Sequence, residues 1–158
     1  LLRIYYYDAF PSSARTQLPV SKKHLDLAAT PRFKQAQRLY DQLVLTPHFA
    51  LRMGTVVLSR TRWRLKPTVA QTLIAAPRAL ADTDFDLDLS QKGVDMRVGM
   101  DMARLALREL VRAIVVVTGD SDFVPAFKFV RREGVKVILE PMGHSVSPEL
   151  RHHADVVL

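Results

Sequence analysis

The sequence predicts an α/β protein: a three-layer α/β/α, Rossmann-like sandwich built on a mostly parallel sheet. Strand-like and helix-like segments alternate at short spacing, as parallel strands joined by crossover helices do. The wholly apolar run Ala113–Val117 is typical of a parallel strand that is buried on both faces. The length of 158 residues suits one domain, residues 1–158, with enough chain to bury a core.

Hydrophobic periodicity and turn residues place the other elements. The predicted strands cover residues 1–7, 49–59, 135–139 and 155–158. The predicted helices cover residues 31–45, 98–110 and 123–132. Thr30 and Pro31 mark the start of the first helix as N-cap and first-turn proline, and Gly134 marks the end of the last. Residues 12–30 are predicted to form a loop.

Charge is unevenly distributed along the chain, whose formal net charge is +7. Residues 1–66 contain 12 Lys and Arg against 3 Asp and Glu, whereas residues 67–101 contain 3 against 6. Basic surface beside an acidic cluster suits an enzyme that holds a polyanion around a bound cation. A solubilising surface charge explains the same numbers equally well.

Composition excludes several classes of protein. The chain has no cysteine, which excludes disulfides, thiolate metal sites and cysteine nucleophiles and agrees with a cytoplasmic location. No run approaches the roughly 20 apolar residues that cross a bilayer, so no membrane association is expected. No HExxH zinc motif and no glycine-rich nucleotide loop occurs in the sequence.

A series of acidic residues alternates with other residues near the middle of the chain. The series consists of Asp82, Asp84, Asp86 and Asp88. Its spacing imitates a calcium loop, but the required glycine and terminal glutamate are missing. We therefore expect a solvated acidic loop or an edge strand.

Two further acids, Asp120 and Asp122, follow the apolar strand at its carboxyl end, where open parallel sheets bind ligands. Gly119 is expected to let the chain turn sharply before them. One acid is explained as the N-cap of the next helix, because a carboxylate accepts the free amide hydrogens there. An N-cap requires one acid only, so capping does not explain the second.

A second acidic pair lies near the start of the helix predicted at 98–110. Asp95 stands where the loop enters the helix, and Asp101 is placed on its apolar side by the spacing from Val98 and Leu105. A carboxylate there is costly unless it has a cation or hydrogen-bond donors. The four acids could hold Mg²⁺ or Mn²⁺, which prefer oxygen ligands. An N-cap plus surface acids is the alternative explanation.

Two segments carry a family resemblance. KGVDMRVGMDMARLA, followed by IVVVTGDSDFVPAFKFVRREGVKVIL, resembles the NYN domain, a PIN-like nuclease group that includes the bacterial LabA proteins. The similarity is close over residues 89–139, and the opening LLRIYYYDAF is similar to the second strand of that family. KGVD and TGDSDF in this order are more specific than either motif alone.

The resemblance implies a metal-dependent ribonuclease that hydrolyses RNA phosphodiester bonds with Mg²⁺ or Mn²⁺. It implies a catalytic set of four acids: Asp95, Asp101, Asp120 and Asp122. The metal ligands among them are Asp101, Asp120 and Asp122. It also implies that Lys92 contacts phosphate and that Ser121 orients a ligand.

One departure from the family pattern leaves two other functions open. The first strand of the family carries an aspartate in a pattern such as IDGxN, and nothing similar precedes Leu1, so we expect a domain truncated at its amino end. A non-catalytic RNA-binding or regulatory module with an incomplete acidic site is the alternative. GDSD also resembles the last acidic motif of HAD phosphatases, but their early DxDxT nucleophile is absent.

RNA is the expected partner, and the most basic stretch of the chain, RTRWRLK at residues 60–66, is its expected contact. The contact residues are Arg60, Arg62, Trp63, Arg64 and Lys66. Trp63 between two arginines suits stacking on a base, although core packing explains it equally well. The sequence is also compatible with a homodimer.

Overall fold

Eight β-strands and five α-helices form along residues 3–158, which are the residues that this computed structural model describes. The strands are β1 (Ile4–Phe10), β2 (Arg15–Gln17), β3 (His24–Asp26), β4 (Phe49–Leu65), β5 (Phe85–Lys92), β6 (Ala113–Val117), β7 (Lys136–Glu140) and β8 (Val156–Val157). The helices are α1 (Pro31–Leu45), α2 (Pro67–Ala75), α3 (Val94–Leu107), α4 (Val124–Arg132) and α5 (Pro148–His152). The α/β class is confirmed.

The strands form three sheets, which corrects the prediction of one mostly parallel sheet. The chain divides into two compact units, Leu1–Val94 and Asp95–Leu158. The first contains a sheet in the order β1-β4-β5 and the hairpin β2-β3, and the second contains a sheet in the order β6-β7-β8. β1 is parallel to β4 and the second unit's sheet is all parallel, but β5 is antiparallel to β4. That the chain is one domain stays a prediction.

β4, the strand that β5 pairs with, is longer than the predicted strand 49–59. It continues through the basic stretch to Leu65, and α2 together with a 3₁₀ turn at Asp82–Asp84 then reverses the chain. β5 returns along β4, with a bulge between Leu58 and Trp63. β5 is the edge of its sheet, so the edge-strand interpretation holds for Asp86 and Asp88. Asp82 and Asp84 lie in the 3₁₀ turn instead, and Asp84 is buried rather than solvated.

α1 has the predicted bounds and the predicted N-terminal chemistry. Thr30 Oγ1 accepts a hydrogen bond from Phe33 N at 3.3 Å, and Pro31 stands in the first turn, where its missing N–H costs nothing. Tyr40 is the buried residue of the helix, whereas Leu39 and Val44 are exposed.

Asp8 links β1 to α1 through tyrosine hydroxyls. Tyr40 Oη donates to Asp8 Oδ2 at 2.8 Å, and Tyr6 Oη donates to the same oxygen at 3.4 Å. The other carboxylate oxygen accepts from Ala9 N at 2.7 Å. Burial, followed by the hydrogen bond to Asp8, raises the pKa of Tyr40 above its ordinary value near 10.

Tyr40→Phe is expected to lower stability by about 1 kcal/mol at neutral pH, because Asp8 loses a hydrogen-bond donor. A raised tyrosine pKa means that the folded state favours the neutral phenol. This contribution is fully present below pH 10 and is lost as the pH rises above it. Urea titrations at pH 7 and pH 11 should therefore show that the variant loses less stability between them than the parent does.

The matched control is Tyr5→Phe, since the Tyr5 hydroxyl has no hydrogen bond within residues 3–158. If both variants lose the same stability at alkaline pH, the proposed link between Asp8 and Tyr40 is wrong.

The second unit has its core around β7. The largest fully buried side chains are Phe127, Val130, Val137, Leu139 and Leu150. β7 lies between β6 and β8, and α4 packs on it. α4 ends at Arg132, as predicted shortly before Gly134, whose φ of 80° is in the left-handed region that favours glycine.

β6 corrects one expectation about burial. It has the predicted bounds, but it is an edge strand, with Val115 exposed to 54% and Val117 to 62%. Side chains alternate along a strand, so Val116 is buried on the opposite face. β6 therefore buries one face, and the prediction of burial on both faces is wrong.

The remaining differences are local. Residues 12–30, predicted as a loop, contain the hairpin β2-β3 and a 3₁₀ turn at Leu27–Ala29. The helices α2 and α5 were not predicted, and the other elements differ from their predicted bounds by a few residues. Leu1 and Leu2, part of the first predicted strand, lie outside the described residues. No helix within residues 3–158 is long and apolar enough to cross a membrane.

Candidate active site

The acidic loop, residues 118–122 with the sequence TGDSD, directly follows β6. Asp120 Oδ1 accepts a hydrogen bond from Asp122 N at 2.9 Å, and Asp120 N donates to Thr118 Oγ1 at 3.1 Å. Asp120 is thus the N-cap of the 3₁₀ turn Ser121–Phe123, which runs into α4. A capping role was predicted, but Asp120 caps this turn, whereas the N-cap position of α4 itself is Phe123.

The cap uses only one of the four carboxylate oxygens in this loop, Asp120 Oδ1. Asp120 Oδ2 and both carboxylate oxygens of Asp122 have no hydrogen bond within residues 3–158. Asp120, Ser121 and Asp122 are all exposed, whereas Phe123 beside them is buried. The apolar anchor therefore fixes the loop and leaves carboxylate oxygens facing solvent.

Gly119 plays a smaller part than expected. Its φ is not in the left-handed region, and an added β-carbon would approach only Val146, at an ordinary distance of 4.0 Å. A side chain would fit there, so the turn into the acidic loop does not depend on glycine.

The second acidic pair lies on α3, which starts earlier than predicted. Asp95 is exposed in the first turn of the helix, where a negative charge is favourable to the helix dipole. Asp101 is half-buried and neighbours the buried side chain of Met102. Its partly buried position agrees with the predicted apolar side of the helix.

Within residues 3–158, no three His, Cys, Asp or Glu side chains are grouped so that they could hold a metal ion. The common role of Asp101, Asp120 and Asp122 as metal ligands therefore stays a prediction. Mg²⁺ often binds through one or two carboxylates and keeps several waters or substrate oxygens. Asp120 and Asp122, two residues apart and exposed, fit that sparse kind of hard-ion site.

Lys92, the predicted phosphate contact, is exposed at the end of β5 in the first unit. Its position depends on close backbone packing against β4. A β-carbon on Gly54 would lie 2.6 Å from the Lys92 carbonyl oxygen and from Val94 Cγ2. Gly54 is therefore required where β4 and β5 meet, and it holds the end of β5 in place.

The predicted RNA-contact stretch belongs to β4 and to the residue after it. Arg60, Arg62 and Arg64 are exposed, and Arg62 has a φ of 61° at the bulge. Lys66 Nζ donates to Thr83 O at 2.7 Å and lies 3.8 Å from Asp86 Oδ1. Three of the four cations are thus available to a ligand, while Lys66 is partly used by the fold.

Trp63 has a structural role in the first unit. Its indole Nε1 donates to the carbonyl oxygen of Gln17 at 2.8 Å, which ties β4 to the hairpin β2-β3. The side chain is half-buried, so a packing role has direct support. Its stacking on a base stays a prediction.

The acids 82–88 serve the fold of the first unit. Asp84, buried, accepts two hydrogen bonds from Arg78 at 2.6 and 2.7 Å, and these lower the pKa of Asp84 to about 2. Asp82 accepts from the backbone amides of Val20 and Ser21. The other two lie on β5: Asp86 and Asp88. Sequence reasoning missed the partnership of Arg78, because a single arginine in a loop carries no signal.

Comparison with known proteins finds a family for most of this chain. The model of the NYN domain matches residues 34–158. An uncharacterized protein of Methanocaldococcus jannaschii is 30% identical over 80 residues, which are 51% of this chain and 33% of that protein. The chain thus spans about a third of that relative's length. No solved structure matches the chain.

Proposed function

The chain belongs to the NYN domain family of the PIN-like nuclease superfamily, and on this premise we propose that it is a Mg²⁺- or Mn²⁺-dependent ribonuclease. NYN domains are generally nucleases, so the coarse assignment is a nuclease-like function that involves RNA. The finer proposal is hydrolysis of RNA phosphodiester bonds at the acidic loop.

The observation that carries the proposal is the state of Asp120 in the acidic loop. Oδ1 caps the 3₁₀ turn through the 2.9 Å hydrogen bond from Asp122 N, while Oδ2 has no hydrogen bond within residues 3–158. An N-cap needs one acceptor only. A second exposed carboxylate, at Asp122, repels the first and adds nothing to the cap, so a bound cation gives a reason for the pair.

The proposed roles follow from these positions. Asp120 and Asp122, with Asp101 as the third predicted ligand, would hold the ion, and Asp95 would complete the acidic site. When bound, the ion supplies Lewis-acid stabilisation of the phosphate charge and a nucleophile at neutral pH. As the family resemblance implies, Ser121 would orient a ligand, and the predicted role of Lys92 is a contact to phosphate. The hydrogen bonds of Thr118 and Asp120 hold the loop before substrate arrives, which limits reorganisation during reaction.

Cleavage of a fluorescently labelled single-stranded RNA by the purified protein tests the proposal. Mn²⁺ or Mg²⁺ should produce shorter fragments, and EDTA should stop their formation. Fragments that form equally with EDTA would contradict a metal-dependent reaction. Hydrolysis of a small phosphate monoester, without cleavage of RNA, would favour the phosphatase-like alternative.

A non-catalytic RNA-binding or regulatory module is the second candidate. It is favoured by the absence, within residues 3–158, of three grouped acids that could hold a metal. Such a module should bind the labelled RNA in EDTA and leave it intact after Mn²⁺ is added. The same two measurements, binding in EDTA and cleavage with Mn²⁺, therefore separate the two candidates.

Replacing Arg62 and Arg64 with alanine is expected to weaken binding to all RNA sequences similarly, because phosphate contacts carry little sequence information. Loss of two phosphate contacts should flatten the slope of log affinity against log salt by about 1.4 for a single strand. Anisotropy titrations in EDTA at several salt concentrations measure this slope. An unchanged slope would remove this stretch from the RNA-binding surface.

A further inference from the structure

A groove of about 600 Å³ in the second unit is lined mainly by charged side chains. They are the basic residues Lys128, Arg131, Arg132 and Lys136 and the acid Asp155. We call this cavity the basic groove. Three of its cations come from α4, and the fourth is the first residue of β7. The four positive charges outnumber the single negative charge, so the groove attracts anions.

Asp155 orients Arg131 and leaves its phosphate-binding edge open. Arg131 Nε donates to Asp155 Oδ1 at 2.8 Å, and Val137 N donates to Asp155 Oδ2 at 2.8 Å. Both oxygens of the acid are therefore engaged within the protein. The two terminal amino groups of Arg131 have no hydrogen bond within residues 3–158, and a guanidinium held in this way can donate both to one phosphate.

The helix dipole explains the presence of only one of these cations. α4 ends at the groove, and the carbonyl end of a helix carries about half a negative charge, which one cation offsets. Lys128, Arg132 and Lys136 form no ion pair within residues 3–158. Three unpaired cations beside an oriented arginine are more than the end of a helix requires.

The basic groove and the acidic loop lie at opposite ends of the same parallel strands. Lys136 is in register with Ala113, the first residue of β6, whereas Asp120 comes after the last residue of β6. Four steps along a strand cover about 13 Å. One phosphate group cannot contact both places, but a nucleic-acid strand with several phosphates can.

We propose that the basic groove binds backbone phosphates of an RNA strand whose other part occupies the acidic loop. This inference rests on the proposed ribonuclease function and adds a requirement for its substrate. The RNA has to be long enough to reach from one end of the strands to the other. Contacts to phosphates hold such a strand without reading its bases.

The double variant Lys128→Ala with Arg132→Ala tests the proposal against a matched control, Lys34→Ala with Arg38→Ala. Each removes one lysine and one arginine, four residues apart, from exposed positions of a helix, and alanine favours helix. Binding of a labelled 20-nucleotide RNA is followed by anisotropy in EDTA, so that cleavage plays no part. The groove variant should bind about tenfold more weakly at low salt, with a slope flattened by about 1.4. The control should stay close to the parent.

Equal losses in both double variants would mean that only net charge matters, and they would overturn the proposal. Binding by the groove variant that matches the parent would do so as well. Failure of the ribonuclease proposal would show itself differently, as RNA that binds through the groove but is not cut when Mn²⁺ is added.

His153 offers a second readout, which reports on the groove locally. Burial, and then the charge of Lys128, lower the pKa of His153; Arg131 and His152 also lower it, and Glu149 opposes them. Phosphate in the groove should therefore raise this pKa, as followed by NMR titration of the imidazole. The rise should occur with 20-nucleotide RNA and not with inorganic phosphate at the same phosphate concentration. An equal rise with inorganic phosphate would overturn the assignment to an RNA strand.

Discussion

Asp120→Asn is expected to reduce Mn²⁺-dependent RNA cleavage at least a hundredfold while leaving the fold intact. The charge stabilisation that a metal provides is worth several kcal/mol in the transition state, and each 1.4 kcal/mol is about a factor of ten in rate. Asparagine still accepts the capping hydrogen bond from Asp122 N, so the melting temperature should change little. Cleavage rate and thermal unfolding are measured on the same preparation.

Asp41→Asn is the matched control, because it removes the same charge from an exposed position of α1 that has no side-chain hydrogen bond within residues 3–158. It should cleave RNA like the parent. RNA binding in EDTA should persist or strengthen in Asp120→Asn, since a negative charge near the phosphates has gone. Full cleavage by Asp120→Asn would reduce Asp120 to a helix cap and favour the non-catalytic module.

Phe127→Ala is expected to destabilise the protein by about 3 to 5 kcal/mol, through lost apolar burial and the cavity left behind. The Phe127 side chain has 0% of its surface exposed and is among the fully buried side chains of the second unit. That cost is a large share of the about 5 to 15 kcal/mol that holds a typical domain together. Urea unfolding followed by circular dichroism measures the change.

Phe129→Ala is the control, since it makes the same substitution two residues further along α4, at a side chain that is 37% exposed. It should cost about 1 kcal/mol. Similar losses for both variants would show that the burial pattern of α4, and with it the packing that supports the acidic loop, is wrong.

Local chemistry was enough to predict the elements around the acidic loop. The bounds of β6 are those that its apolar run indicates, and Asp120 caps the following turn as its carboxylate chemistry requires. Thr30, Pro31 and Gly134 likewise mark helix ends in the predicted places. Each of these features depends on neighbours within a few residues, which a sequence displays directly.

Long-range pairing could not be predicted in the same way. β5 alternates aspartate and leucine, a pattern that fits a solvated loop and a one-faced edge strand equally well. Its antiparallel pairing with β4 depends on the turn at Asp82–Asp84, which is held by Arg78. The exposure of Val115 has a similar origin, because an apolar run does not reveal whether a strand lies at a sheet's edge.

In the candidate site, too, local features could be predicted and long-range contacts could not. Sequence reasoning located exposed carboxylates at Asp120 and Asp122, beyond the end of a strand, and placed Asp101 on the half-buried side of its helix. Whether the three share one ion depends on the approach of side chains that are distant in sequence. The basic groove was not predicted for a related reason. Most of its cations lie near the end of one helix, where basic residues are common, so the sequence gives no sign that they line a groove.

The most direct test of the central claim is to locate Mn²⁺ by anomalous diffraction in crystals of the protein grown with the ion. The claim predicts an anomalous peak about 2.1 Å from carboxylate oxygens of Asp120 and Asp122, the distance usual for a hard divalent ion. A third carboxylate at that distance, from Asp101, would establish the three-ligand site. Ordered Asp120 and Asp122 side chains with no peak beside them, at a Mn²⁺ concentration that supports RNA cleavage, would contradict the claim.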